Sequence, residues 1–312
     1  MTTTQLTEGG TQTKTIQELA CSRSIASAIQ PYAYYFSTIH ILLSLTAILG
    51  NSLLLVALRK ESSLHPPSKV LYRCLATTDL LVGLVVHPLA VIHFMSYIHE
   101  DWGRCRWTHN VVFISGYALC SVSLLTMTAI SVDRLLALLV GLRYRQIVTV
   151  KRIHVILTTF WIATGVAALC QSLNYHMIFW YGFLVTVSCL MISFASYTKI
   201  FRALSHHRTQ IQDHAQQSPS QPNALNIALY RKVVYSTLWV QLALLVCYLP
   251  FCIVIVLNTF GKISATHLDV IGTLTGVLVS FNSTLNPFLY CWKISEVRQA
   301  VKQTLRQALC CF

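Results

Sequence analysis

The sequence predicts an all-α membrane protein, a seven-transmembrane helix bundle with an amphipathic cytoplasmic helix after the seventh span. Three observations predict it. Asp, Glu, Lys and Arg make up only 11% of the 312 residues while 54% are apolar, against roughly 25% charged in soluble proteins. The apolar residues gather in windows of about 20, the length that crosses roughly 30 Å of hydrocarbon at about 1.5 Å per residue. The net charge of +13 is also unevenly divided among the segments between those windows.

Seven windows follow in order: Ala33 to Leu58, Val70 to Tyr97, Thr108 to Leu139, Ile153 to Leu173, Met177 to Leu204, Val233 to Thr259 and Leu268 to Trp292. Residues 1–32 are expected to form an extracellular tail, 33–292 the membrane domain, and 293–312 a cytoplasmic helix and short tail. The Thr-, Gln- and Ser-rich stretch before Pro31 lacks the apolar core of a signal peptide, so the first span is expected to insert itself.

Charge gives the orientation. With the N-terminus outside, the outer segments hold Lys14, Arg23, Arg104, Arg106 and Lys262 against Glu8, Glu18, Glu100, Asp101 and Asp269, a sum of zero. All other Lys and Arg residues then lie inside, as the positive-inside rule requires. The basic excess faces anionic inner-leaflet lipids, and no nucleic-acid partner is needed to explain it. Between spans five and six, Ser205 to Asn226 reads as a flexible cytoplasmic loop. After span seven, Ile294, Val297, Val301 and Leu305 share one helical face and Arg298, Lys302 and Arg306 another, the pattern of an interfacial helix.

A polar group inside hydrocarbon is costly unless partnered or functional. Asp79 is the one carboxylate deep in a predicted span. It is either satisfied by neighbouring hydroxyls and amides or part of a cation or proton site. Asn51, Ser123, Asn282, Ser283 and Asn286 lie at comparable depth and carry the oxygens a hard cation takes. Asp133-Arg134-Leu135 ends the third span, 29 residues beyond Cys105, about 43 Å of helix. Pro250 and Pro287, the latter in Asn286-Pro287-Phe288-Leu289-Tyr290, each free a carbonyl and permit a bend in spans six and seven.

With these residues in this order, the sequence resembles the rhodopsin-like G-protein-coupled receptors from about Tyr35 to Leu309. The match rests on GNSLL with Asn51, LATTDLL with Asp79, WGRCRW with Cys105, SVDRL with Arg134, Trp161, CYLP with Pro250, and NPFLY. The resemblance implies a heterotrimeric G protein as partner. Arg134, beside Asp133, would block or engage its cavity, and Tyr197 and Tyr290 would swing inward on activation. It also implies that Asp79, Ser123, Asn282 and Asn286 form a sodium pocket favouring the inactive state, with no other cofactor.

Departures refine the resemblance. Leu135 replaces a tyrosine, Tyr248 a tryptophan, and Cys189 stands where the fifth span normally bends at a proline. The short connection Gln171 to His176 contains no cysteine. These features look like the melanocortin, adenosine, cannabinoid and lysolipid receptors, with the melanocortin receptors nearest and an adenosine-like purine receptor as the alternative. Subfamily ligand residues do not transfer. Leu89, Cys105 and Phe113 stand at melanocortin acidic positions, and Ile255 where an adenosine pocket has asparagine. Gly116 takes the place of an amine-binding aspartate, Ser280 of the retinal lysine, and Val112 and Phe113 of the lysolipid pair. What remains is an apolar outer pocket lined by Tyr117, Cys120, Tyr181, Tyr248, Phe251 and Ile255, suited to a small neutral, aromatic or lipid-like ligand.

Cys105 thus lacks the partner usual in that family. Of the 11 cysteines only Cys21, Cys105 and Cys170 can reach the oxidising side, and a Cys21–Cys105 bridge tying the N-terminal segment over the pocket is expected. Cys310 and Cys311 follow the amphipathic helix and are expected palmitoylation sites. A transporter would show repeated halves or broken helices, which the sequence lacks. The histidines are expected mostly in loops or at span ends, and no HExxH or GxSxG occurs, so an enzyme is not expected. No carboxylate near Tyr230-Arg231-Lys232 can hold Arg134 across the bundle, which predicts ligand-free signalling.

Overall fold

The computed structural model of the chain describes residues 20–60, 64–170, 175–215, 239, 242–257, 265–293, 298–299, 301–303 and 306. Helix Arg23–Ile29 leads through a single turn, Gln30–Tyr32, into the first span, Ala33–Lys60. The second span opens on Pro66 and Pro67, where missing N–H groups cost nothing because first-turn donors have no intrahelical partner. It runs as Pro66–Leu81, widens into a π turn at Val82–Val86 and continues as His87–Ile98. Pro88 explains the widening, since it has no N–H for the carbonyl one turn back. The hydroxyl of Ser44 in the first span donates to the Gly83 carbonyl at 2.8 Å, satisfying an acceptor within the π turn.

The third span, Trp102–Val140, starts where the Asp101 carboxylate accepts from the Arg104 amide at 3.0 Å. It stops at Gly141, whose φ of +53° only glycine adopts cheaply. A short helix, Tyr144–Ile147, precedes the fourth span, Val150–Cys170, and the fifth runs Tyr175–Ala215. Leu242–Leu257 belongs to the sixth, and Ala265–Lys293 forms the seventh. Five of these helices are long and apolar enough to cross a membrane, while Leu242–Leu257 is a shorter apolar helix. Among the described residues there is no strand.

One boundary needs correcting. The segment from Ser205, read as flexible loop, is helical through Ala215. Its first eleven residues contain no Gly or Pro, so nothing stops the ladder that span five begins. Beyond span seven, Arg298, Gln299, Val301–Gln303 and Arg306 are helical. Val301 packs into the core while Lys302 and Arg306 are exposed. Ile294, Val297, Leu305, Cys310 and Cys311 lie outside the described residues.

The packing is that of a bundle in lipid. Large apolar side chains such as Leu42, Leu45 and Leu49 face outward, whereas Asn51, Asp79, Ser123 and Asn286 are buried. The third span touches the second, fourth, fifth and seventh. Spans one and seven approach closely at Gly50, where a Cβ would lie 3.0 Å from the Pro287 ring.

Candidate functional site

The middle layer of the bundle is organised around Asp79, which is fully buried. Ser123 of the third span donates to one carboxylate oxygen at 2.9 Å and Asn286 of the seventh to the other at 2.7 Å. Asn51 donates to the carbonyls of Ala47 at 2.9 Å and Ser283 at 3.1 Å, and the Asn282 amide points to the Met127 sulfur at 3.3 Å. All three asparagines use N–H groups in these contacts. Their Oδ1 atoms are left buried with no hydrogen-bond partner among the described residues. An acceptor stranded in this way costs about 1–3 kcal/mol. One negative charge and three unspent amide oxygens in the same layer are the donor set a hard cation accepts.

The inner end of the third span carries a second constellation. Asp133 is buried and accepts from Ser68 at 2.9 Å and from the Tyr144 hydroxyl at 2.5 Å. Burial first, and then its bond to Asp133, pushes the Tyr144 phenol up to about 12, so it remains a donor at any physiological pH. Arg134 is half-exposed, 3.5 Å from Asp133, with its guanidinium 5.6 Å from the centre of the Tyr72 ring. On the fifth span, the Tyr197 hydroxyl sits 2.9 Å from that of Ser131. Pro250 lies within Leu242–Leu257 and Pro287 within the seventh span. The residues Tyr230-Arg231-Lys232 lie outside the described part of the chain.

The outer half holds a cavity of about 520 Å³. Tyr117, Cys120, Tyr248, Phe251 and Ile255 line it, as their depth predicts. Tyr181 does not: it is 43% exposed, and its neighbours Gly182 and Phe183 face the cavity instead. A helix turns about 100° per residue, so a face assigned one position early points to lipid. Gly182 lets that wall pack closely, because a Cβ there would meet the Tyr117 ring at 3.0 Å. Cys21 and Cys105 are joined by a disulfide, and the Tyr97 hydroxyl donates to the Ala20 carbonyl at 3.2 Å. Together these contacts fasten helix Arg23–Ile29 onto the outer ends of spans two and three. Cys170 is free and exposed.

Four of the 12 histidines are exceptions to the expectation of loops and span ends. His40, His87, His93 and His109 lie inside spans, and His40, His93 and His109 line the cavity. Depth was the available signal: His40 is seven residues into the first span, about 10 Å, and His87 eleven from the outer end of the second, about 16 Å. Neither depth is that of a loop.

Comparison with known proteins places this geometry. The family model for the 7 transmembrane receptor (rhodopsin family) matches residues 50–176 and 170–290. Adenosine receptor A3 of Ovis aries is 25% identical, the match covering 92% of this chain and 94% of that protein. Adenosine receptor A2a of Canis lupus familiaris is 25% identical over 88% of this chain and 73% of its own. Trace amine-associated receptor 1 of Macaca mulatta is 24% identical over 85% of each.

Proposed function

The chain belongs to the rhodopsin family of seven-transmembrane receptors, a class of receptors and not of enzymes, and from there we propose that it couples a small organic ligand in the outer cavity to a heterotrimeric G protein at Arg134. One observation carries this reading. The third span presents Tyr117 and Cys120 to the cavity, Ser123 to Asp79, and Asp133 with Arg134 to the inner face. A shift of that helix is therefore felt by all three sites, which is the differential contact a two-state switch needs. From Tyr117 to Arg134 is 17 residues, about 26 Å along the axis.

In this reading the plasma membrane holds the N-terminus outside and the C-terminus in the cytosol. The ligand touches Tyr248 and Phe251, and the inner end of span six swings about Pro250. Arg134 then leaves Asp133 and Tyr72 for a G-protein helix, and Tyr197 turns inward from Ser131. Sodium is the cation we assign to Asp79, with oxygens from Asn51, Ser123, Asn282, Ser283 and Asn286. A bound sodium supplies positive charge in the middle layer, and the chain's own part is to hold those oxygens together while span seven stays straight.

A peptide of melanocortin type would need acidic partners, and among the described residues none lines the cavity. The same lack disfavours an amine, since Gly116 faces the cavity without a carboxylate. A purine is the second reading, favoured by two adenosine receptor relatives, although Ile255 offers it no amide. Expression with promiscuous G proteins tests both by calcium release, using purines, amines, peptides and lipids against empty cells. Ligand-free output above that of empty cells is expected, and output equal to theirs counts against the switch as described.

A further inference from the structure

The outer cavity is chemically two-sided. His40, His93 and His109 face it from spans one to three, whereas Phe183, Tyr248, Phe251 and Ile255 face it from spans five and six. His87 stands behind His40, their Nδ1 atoms 2.8 Å apart, a separation that requires one N–H and one lone pair. The Nε2 atom of His87 is buried with no partner among the described residues. A stranded lone pair there is tolerated better than a stranded N–H. His87 therefore carries its proton on Nδ1 and donates to His40. The proton of neutral His40 is then on Nε2, which is not sealed off as His87 Nε2 is, and His40 offers a donor to the cavity.

The other two imidazoles differ from one another. His93 is committed, with Nδ1 3.3 Å from the Thr108 hydroxyl and Nε2 3.3 Å from that of Tyr97. His109 has only ring contacts among the described residues, to His93 at 5.5 Å and Phe113 at 6.3 Å. His40 and His109 are thus the two imidazoles on this wall with a nitrogen to spare.

Among the described residues, the charge on this side of the cavity can take only one sign. Facing it are His40 from span one and His93 from span two, with His87 and Tyr97 of span two packed behind them. Span three adds His109, with Tyr117 and Cys120 farther in, and span six adds Tyr248. Span seven contributes Thr273, Val277 and Ser280, none of which titrates. At the mouth, Asp101 is half-exposed and already paired with Arg104 at 3.3 Å. An imidazole near neutral pH is neutral or positive, never negative. Among the described residues an ammonium group would find no counter-ion here, while an anion would draw a proton onto an imidazole and be held by it.

We propose that the cavity takes an amphiphilic organic acid, its carboxylate or equivalent anionic head bound by His40 and His109 and its aromatic or alkyl body lying against Tyr248, Phe251 and Ile255. This names the ligand class for the receptor reading above and rests on it. Because His40 Nδ1 is occupied by the His87 N–H, proton uptake on head-group binding falls to His109, and affinity rises as pH falls from about 8 to about 6, by up to about tenfold per unit for one proton.

The test uses the full chain in phosphatidylcholine nanodiscs and three radiolabelled probes that share a body: phenylbutyrate, phenylbutylamine and phenylbutanol. Phenylbutyrate should bind tightest at about pH 6 and weaken toward about pH 8, with the alcohol weaker and flat with pH and the amine weakest. His109→Gln should remove most of the pH dependence, His40→Gln should leave it in place, and each should lower acid affinity at about pH 6 by about tenfold. Thermal unfolding midpoints equal to the parent's show that these variants are folded. Amine binding equal to or tighter than acid binding, acid binding flat with pH, or no binding of any probe overturns the proposal. Nucleotide exchange on added G protein, measured on the same nanodiscs, separates the two ideas. Acid binding as expected with exchange no higher than from empty discs sinks the receptor reading and leaves the site standing.

Discussion

The outer histidine wall and the middle layer around Asp79 are both polar pockets inside hydrocarbon, yet they are wired oppositely. In the middle layer a single carboxylate takes donors from Ser123 and Asn286, and the asparagines leave acceptor oxygens unspent. On the outer wall imidazoles bond each other or nearby hydroxyls, and His40 and His109 leave nitrogens unspent. Surplus acceptors call for a cation and surplus donors for an anion. Stacked along one third span, the two layers can bias one helix packing with ligands of opposite sign. Charge alone is then enough to keep each ligand in its own layer.

The largest expected effect separates the layers by stability. Cys21→Ser removes the bridge that fastens the N-terminal helix over the outer wall and should lower stability by about 2–5 kcal/mol. Sodium-dependent stabilisation should survive, because the bridge touches nothing in the middle layer. Thermal unfolding of purified receptor with and without sodium checks both halves. A variant that lost the sodium response as well would mean the layers unfold as one unit.

A smaller effect with the opposite pattern is expected from Asp79→Asn. Sodium at ten times its dissociation constant should stabilise the parent protein by about 1.4 kcal/mol. The variant should gain nothing from sodium over potassium, while its phenylbutyrate affinity keeps its pH dependence. Once an agonist is found, sodium should also cease to weaken its binding in the variant. Sodium stabilisation equal to the parent's would remove Asp79 from the cation site and dissolve the contrast between the layers.

What could be read in the sequence follows this division. Asp79, Asn51, Ser123 and Asn286 stood out because a carboxylate or amide in an apolar window is conspicuous, and the structure brings Ser123 and Asn286 onto Asp79. Span existence was equally plain from hydropathy, though not the helical run to Ala215, since helix ladders ignore the polarity at which a window stops. The histidines were missed because imidazole is intermediate in polarity and blends into a span end. Their pairing also depends on rotation between spans one and two, which the π turn at Val82–Val86 sets. A register change of this kind has no hydropathy signature. Tyr181 failed for the same reason, a rotation of one residue, with the glycine beside it as the unread clue.

That glycine supplies the smallest effect. Gly182→Ala places a methyl 3.0 Å from the edge of the Tyr117 ring and 3.3 Å from its hydroxyl, contacts that the ring is expected to relieve by tilting into the cavity that it lines. Overpacking of this kind costs about 1 kcal/mol when a side chain rather than backbone must give. Because Tyr117 and Tyr248 line the same cavity, the tilt takes volume from the apolar side and leaves the imidazoles alone. Phenylbutanol and phenylbutyrate should therefore lose affinity by the same factor, with the pH dependence of the acid intact. Equal losses would show that the body and head of the ligand are read by separate walls. If the variant instead weakened only the acid, head and body would share one wall, and the two-sided cavity on which the contrast with Asp79 depends would have to be given up.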